Sequence, residues 1–87
     1  MTAWLYDRFF KDIYDGVDYD SFEAVGGISH EQSGHVMKLL HSHRIPNIIE
    51  GSKIYGISVP TEHVDRAIKL VSDDAAKNGY WFEAVAD

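Results

Sequence analysis

The stretch from Asn47 to His63, NIIEGSKIYGISVPTEH, constrains this chain more than any other. It places two apolar, β-branched runs on either side of Gly51–Ser52, and a Gly-X pair suits the two-residue type II′ turn that joins antiparallel strands. In the second run Ile54, Gly56 and Ser58 fall on one face, and Tyr55, Ile57 and Val59 on the other. That period of two belongs to a half-buried strand. Pro60 has no backbone N–H to extend the ladder. Thr61 then stands as a helix N-cap, with Glu62 and Asp65 in the first turn where the helix dipole favours acids. A hairpin running directly into a helix is an α+β signature.

The remaining segments complete the pattern. Val64, Ile68, Val71 and Ala75, flanked by Ala67, make one helical stripe that Asn78–Gly79 ends, and Tyr80–Val85 reads as a last strand. Upstream, Ser21–Ser29 alternates Phe22, Ala24, Gly26 and Ile28 against Ser21, Glu23, Val25 and Gly27, a strand expected to be bulged or closely approached at Gly26–Gly27. Ser29 with Gln32 is a capping-box pattern opening a helix that carries Val36, Met37, Leu39 and Leu40. His41, His43 and Arg44 suit its last turn, Pro46 stops it, and Gly34 suggests close packing. The order over residues 21–85 is β-α-β-β-α-β, which predicts an α+β, ferredoxin-like domain: an antiparallel sheet with two helices on one face. Residues 1–16 form an N-terminal extension. There Trp4, Leu5, Phe9, Phe10 and Ile13 predict a helix over Ala3–Tyr14, with a short strand at Ala3–Tyr6 as the alternative. The tetrapeptide FEAV occurs at Phe22–Val25 and again at Phe82–Val85, in the first and last predicted strands.

Eighty-seven residues, 45% of them hydrophobic, suffice for one domain with one core. The absence of cysteine excludes disulfides, thiolate metal sites and a cysteine nucleophile. No signal-like start and no apolar run of membrane-spanning length is present, so a soluble, cytoplasmic protein is expected. Fourteen acidic against 8 basic residues give a net charge of −6. That balance disfavours direct nucleic-acid binding, which needs clustered Lys and Arg.

From His30 to Val71 the chain resembles the small ring-building modules of flagellar and type III secretion ring proteins. Those also run helix, hairpin, then a helix beginning on an acidic turn. Leu39–Leu40, Ile45, Glu50–Gly51, Tyr55, Ile57–Val59 and Pro60 carry the likeness over about half the chain. It implies the same fold and a role in protein–protein assembly. An open four-stranded sheet also allows a regulatory or assembly module in which the exposed sheet face or an edge strand, with Asn47–Glu50 as the natural seam, pairs with a second copy in a homodimer. The lipidated cysteine of those families has no counterpart here.

Motifs for chemistry are sparse. Five histidines (His30, His35, His41, His43 and His63) lack the i, i+4 spacing of a helical metal site, and read as helix-end and surface residues, with no metal or cofactor expected. Gly26–Ser29 links a strand to a helix and is a candidate small-anion site, but it lacks a Walker lysine. The topology resembles acylphosphatases, whose substrate-binding Arg is missing from Gly26–Ser29. It also resembles RNA-recognition modules, which stack bases on strand aromatics; here Phe22 and Tyr55 are the loose matches. No catalytic activity is expected.

The most unusual region is the N-terminal third. Six acids (Asp7, Asp12, Asp15, Asp18, Asp20 and Glu23) interleave with Tyr6, Tyr14 and Tyr19, against Arg8 and Lys11 alone as bases. Tyrosines are large, rigid and amphipathic, and carboxylates steer association with a basic surface. Short, acidic and cysteine-free, the chain resembles small phage-encoded inhibitors of restriction, repair or CRISPR machinery. That resemblance implies a viral protein docking on a basic, nucleic-acid-handling protein partner. The expected contacts are Tyr14, Asp15, Asp18, Tyr19, Asp20 and Glu23, with no membrane involved.

Overall fold

Residues 11–85 are described in this computed structural model. They form a small α+β fold with a four-stranded antiparallel sheet and two α-helices. The elements run β1 (Phe22–Ser29), α1 (Ser33–Ser42), β2 (Ile48–Gly51), β3 (Ile54–Pro60), α2 (Val64–Asn78) and β4 (Phe82–Ala84), with single 3-10 turns at Lys11–Tyr14, Tyr19–Ser21, His30–Gln32 and Thr61–His63. The strands lie in the order β2-β3-β1-β4, each neighbour antiparallel. The predicted helix over Ala3–Tyr14 falls mostly outside the described residues; Lys11–Tyr14 is a 3-10 turn.

One core joins both helices to one face of the sheet. Val25 and Ile28 of β1 and Ile57 and Val59 of β3 meet Val36 and Leu40 of α1 and Ala67 and Val71 of α2, with Ile45 closing the end. Each such Val, Leu or Ile side chain contributes roughly 1.5–3 kcal/mol by leaving water. The apolar alternation of β3 is as the sequence implies, and the stripe on α2 turns inward as its period requires.

Four local features differ from the sequence reading. The bulge of β1 lies between Ala24 and Gly26, one residue earlier than expected, so that Val25 and Ile28 both face the core. Gly26 is still required: a Cβ there would stand 2.4 Å from the Glu83 carbonyl oxygen, because β4 passes directly against it. The hairpin pairs Gly51 with Tyr55, so the chain reverses through residues 52–54 and not in a two-residue turn at Gly51–Ser52. Neither predicted cap forms. Ser29 makes no side-chain capping bond and leads into a 3-10 turn, and the Thr61 hydroxyl turns back toward β1. Gly34 faces open space, so close packing does not account for it. At the far end Gly79 adopts a left-handed conformation, φ 70°, and its N–H reaches the Ala75 carbonyl oxygen at 2.8 Å, closing α2 where Asn78–Gly79 predicts.

Candidate functional site

The acidic loop runs from Asp15 to Ser21 and enters β1 through Phe22. Its geometry is fixed by its own polar residues. The Asp18 side chain accepts from the Asp20 N–H at 3.0 Å, and the Asp18 carbonyl oxygen accepts from both the N–H and the hydroxyl of Ser21, at 3.0 and 2.7 Å. This is the local competition that makes Asp and Ser turn formers. Thr61, at the start of the turn after β3, holds the loop from the other side. Its Oγ1 lies 2.8 Å from the Ser21 carbonyl oxygen and 3.2 Å from Glu23 Oε1, one proton serving two acceptors.

Asp15, Asp18, Asp20 and Glu23 are all exposed. Tyr19 is 54% exposed, and its ring rests on Phe22 with centroids 5.3 Å apart. Five of the six predicted contact residues therefore share one surface segment. Tyr14 does not. Its hydroxyl turns inward, 2.7 Å from His41 Nε2, accepting from the Asn47 N–H and donating to the Asn47 carbonyl oxygen, both at 3.1 Å. A hydroxyl has one proton, so with that proton on the Asn47 carbonyl it accepts from His41 Nε2–H. Tyr14 is thus a strut between the acidic loop and the junction of α1 with β2, and its ring meets the His41 ring edge-on at 5.7 Å. Nearby Asp12 pairs with Arg44, and that hydrogen bond holds the Asp12 carboxyl below its ordinary value.

His41 departs from its sequence reading. Read as a surface helix-end residue, it is instead 1% exposed, and Asn47 is buried beside it. Among the described residues, no group of three or more His, Asp or Glu side chains could hold a metal ion, and no helix is long and apolar enough to cross a membrane. Tyr55 packs against the core from the inner side of the sheet, which takes it off the open face where a base-stacking aromatic would stand.

A second polar cluster gave no sequence motif. Asp74 on α2 receives hydrogen bonds from Tyr80 Oη (2.6 Å) and Asn78 Nδ2 (2.9 Å), and pairs with His35 Nε2 of α1 at 2.6 Å. Burial works to raise the Asp74 pKa, but the bonds from Tyr80, His35 and Asn78 outweigh it and hold the carboxyl below its ordinary value. Burial, then the same carboxylate, pushes the Tyr80 phenol up. The i, i+4 pair Asp74–Asn78 was the only legible trace of this cluster. It clamps the two helices. No protein-family model matches the chain, and no curated protein and no solved structure matches it.

Proposed function

We propose that this protein acts by binding another protein, with the acidic loop and Tyr19 docked on a basic surface. The observation that carries the reading is Tyr19: a large aromatic, 54% exposed, backed by Phe22 and flanked in the chain by the exposed Asp18 and Asp20 of a hydrogen-bonded loop. A rigid aromatic loses little entropy on burial, and carboxylates around it select a cationic partner and accelerate encounter. The contact set is Asp15, Asp18, Tyr19, Asp20 and Glu23, without Tyr14, whose hydroxyl is engaged by the protein itself. Inhibition of a nucleic-acid-handling protein by occupation of its basic groove is the form of this activity that the charge favours. We read the fold as ferredoxin-like, supported by two helices on one face and the order β2-β3-β1-β4 with antiparallel neighbours.

The test is capture from nuclease-treated lysate with the native protein and an Asp15/Asp18/Asp20→Asn variant of equal thermal stability. A basic protein held by the first and lost by the second is the expected result. Equal capture by both would exclude the acidic loop as the site.

A further inference from the structure

The sheet has a second face, and no element of the described chain covers it. By register it carries Ile48 and Glu50 on β2, Ile54, Gly56 and Ser58 on β3, and Ala24 and Gly27 on β1. Across its middle one row of directly paired residues reads Glu50, Gly56, Gly27, Glu83. A carboxylate thus stands on each edge strand, with two glycines between them, of which Gly56 is the open one. At one end Ile54 and Trp81, 57% and 46% exposed, converge over Gly27: a Cβ placed there would meet Ile54 Cγ2 at 3.1 Å and the Trp81 ring at 3.8 Å. At the other end the face runs out through Phe22 to the exposed ring of Tyr19. Apolar anchors therefore mark both ends of a low central lane with acids at its sides. At about 3.3 Å per residue the eight residues of β1 give a lane of about 23 Å, and three strand spacings of about 4.8 Å give a width of about 14 Å.

We propose that this open face is the docking surface for a basic amphipathic α-helix of a protein partner. The proposal rests on the acidic-loop reading only for the sign of the partner's charge. A chain lying across the face of a sheet cannot pair its backbone with strands already paired, so the occupant must satisfy its own N–H and C=O groups, as a helix does. A helix is about 10 Å across, and about 15 residues span the lane. Its apolar stripe meets Ile54 and Trp81 at one end and Tyr19 at the other, while Lys or Arg beside the stripe meets Glu50 and Glu83. Gly56 lets the helix approach closely beside the apolar pair of Ile54 and Trp81.

The probe is a Leu/Lys peptide of about 18 residues with an amphipathic helical pattern, titrated against the full chain while backbone amides and the Trp81 indole are followed by NMR. A shuffled peptide of the same composition is the control. The expected result is binding at least about tenfold tighter than the shuffled peptide, with shifts at Gly27, Gly56 and Trp81. Gly56→Lys should weaken it at least about tenfold, since it fills the lane and repels the cation. A Cβ at residue 56 meets nothing nearer than the Glu50 carbonyl oxygen at 3.9 Å, so this variant keeps the fold, and a thermal melt checks that. Glu50→Gln/Glu83→Gln, which preserves shape, should also weaken binding. Equal affinity for the shuffled peptide, or indifference to both variants, overturns the proposal. So does competition by a uridine oligonucleotide, which would assign the face to single-stranded RNA. Shifts confined to residues 15–23 would overturn it as well while leaving the acidic-loop reading intact. That reading fails separately, through unchanged capture by the Asp15/Asp18/Asp20→Asn variant.

Discussion

At the residue scale the division of labour between Tyr14 and Tyr19 is the most informative outcome. The two lie five positions apart in the same acidic context, and only their surroundings separate an anchor from a contact. Tyr14 ties the loop to His41 and Asn47, both buried, whereas Tyr19 is 54% exposed and rests its ring on Phe22. Tyr14→Phe removes a hydroxyl that satisfies buried polar groups, and such a loss costs about 1–3 kcal/mol. We expect chemical denaturation to show a destabilisation of that size with a native-like circular dichroism spectrum. Tyr19→Ala should leave the denaturation midpoint nearly unchanged and weaken partner capture instead. If Tyr14→Phe left stability unchanged, Tyr14 would have to be returned to the contact surface.

At the scale of elements, the helices are held to one another by more than the apolar seam. Asp74 on α2 is bonded by His35 on α1 and by Tyr80 at the entry to β4, so one carboxylate links three segments. Its folded-state pKa lies below the ordinary value, so the folded form binds the proton less readily than the unfolded chain does. The resulting stability is fully present above the unfolded carboxyl value of about 4 and drains away as pH falls through the lower folded value. Denaturation midpoints measured between neutral pH and strong acid should fall in the native protein. In Asp74→Asn the neutral-pH midpoint should start lower and the acid-induced fall should be shallower. Parallel curves for the two proteins would show that the clamp contributes nothing. The bulge of β1 is set at the same scale, since it turns both Val25 and Ile28 inward and brings Gly26 under β4.

For the whole molecule, charge and edge geometry act in the same direction. A chain of net charge −6 repels its own copy. The sheet's edges are β4, Phe82–Ala84, and the longer β2, whose ladder residues are Ile48–Gly51; the preceding Asn47 already spends its N–H and carbonyl on Tyr14. Four residues of edge fall short of the roughly 800 Å² per partner that a stable interface buries. Sedimentation equilibrium should therefore find a monomer at low salt, with association, if any, emerging only when high salt screens the charge. A tight dimer at low salt would point instead to the Asn47–Glu50 seam and the assembly role that the ring-module resemblance implies.

The element sequence was legible because it depends on local terms. Period-two alternation in Ile54–Val59, the helical stripe from Val64 to Ala75, Gly79 and Pro46 each act through the chain's own next few residues. The acidic loop was legible for the same reason, since Asp18, Asp20 and Ser21 bond one another within three residues. The register of the hairpin, the position of the bulge, the idle caps at Ser29 and Thr61, and the burial of His41 were not legible. Each is decided by a group distant in sequence: Thr61 forgoes its own helix because the Ser21 carbonyl lies within reach 40 residues away, and His41 is met by the Tyr14 hydroxyl and ring from 27 residues away. Over residues 21–85 the chain by itself determined which segments are strand, helix and loop, and over its whole length where negative charge accumulates, since propensity, periodicity and composition are properties of the chain. Only the tertiary structure decided which tyrosine is strut and which is surface, and that the two glycines of separate strands line up between two glutamates. Those are facts of pairing and packing, and they exist only once the chain has closed on itself.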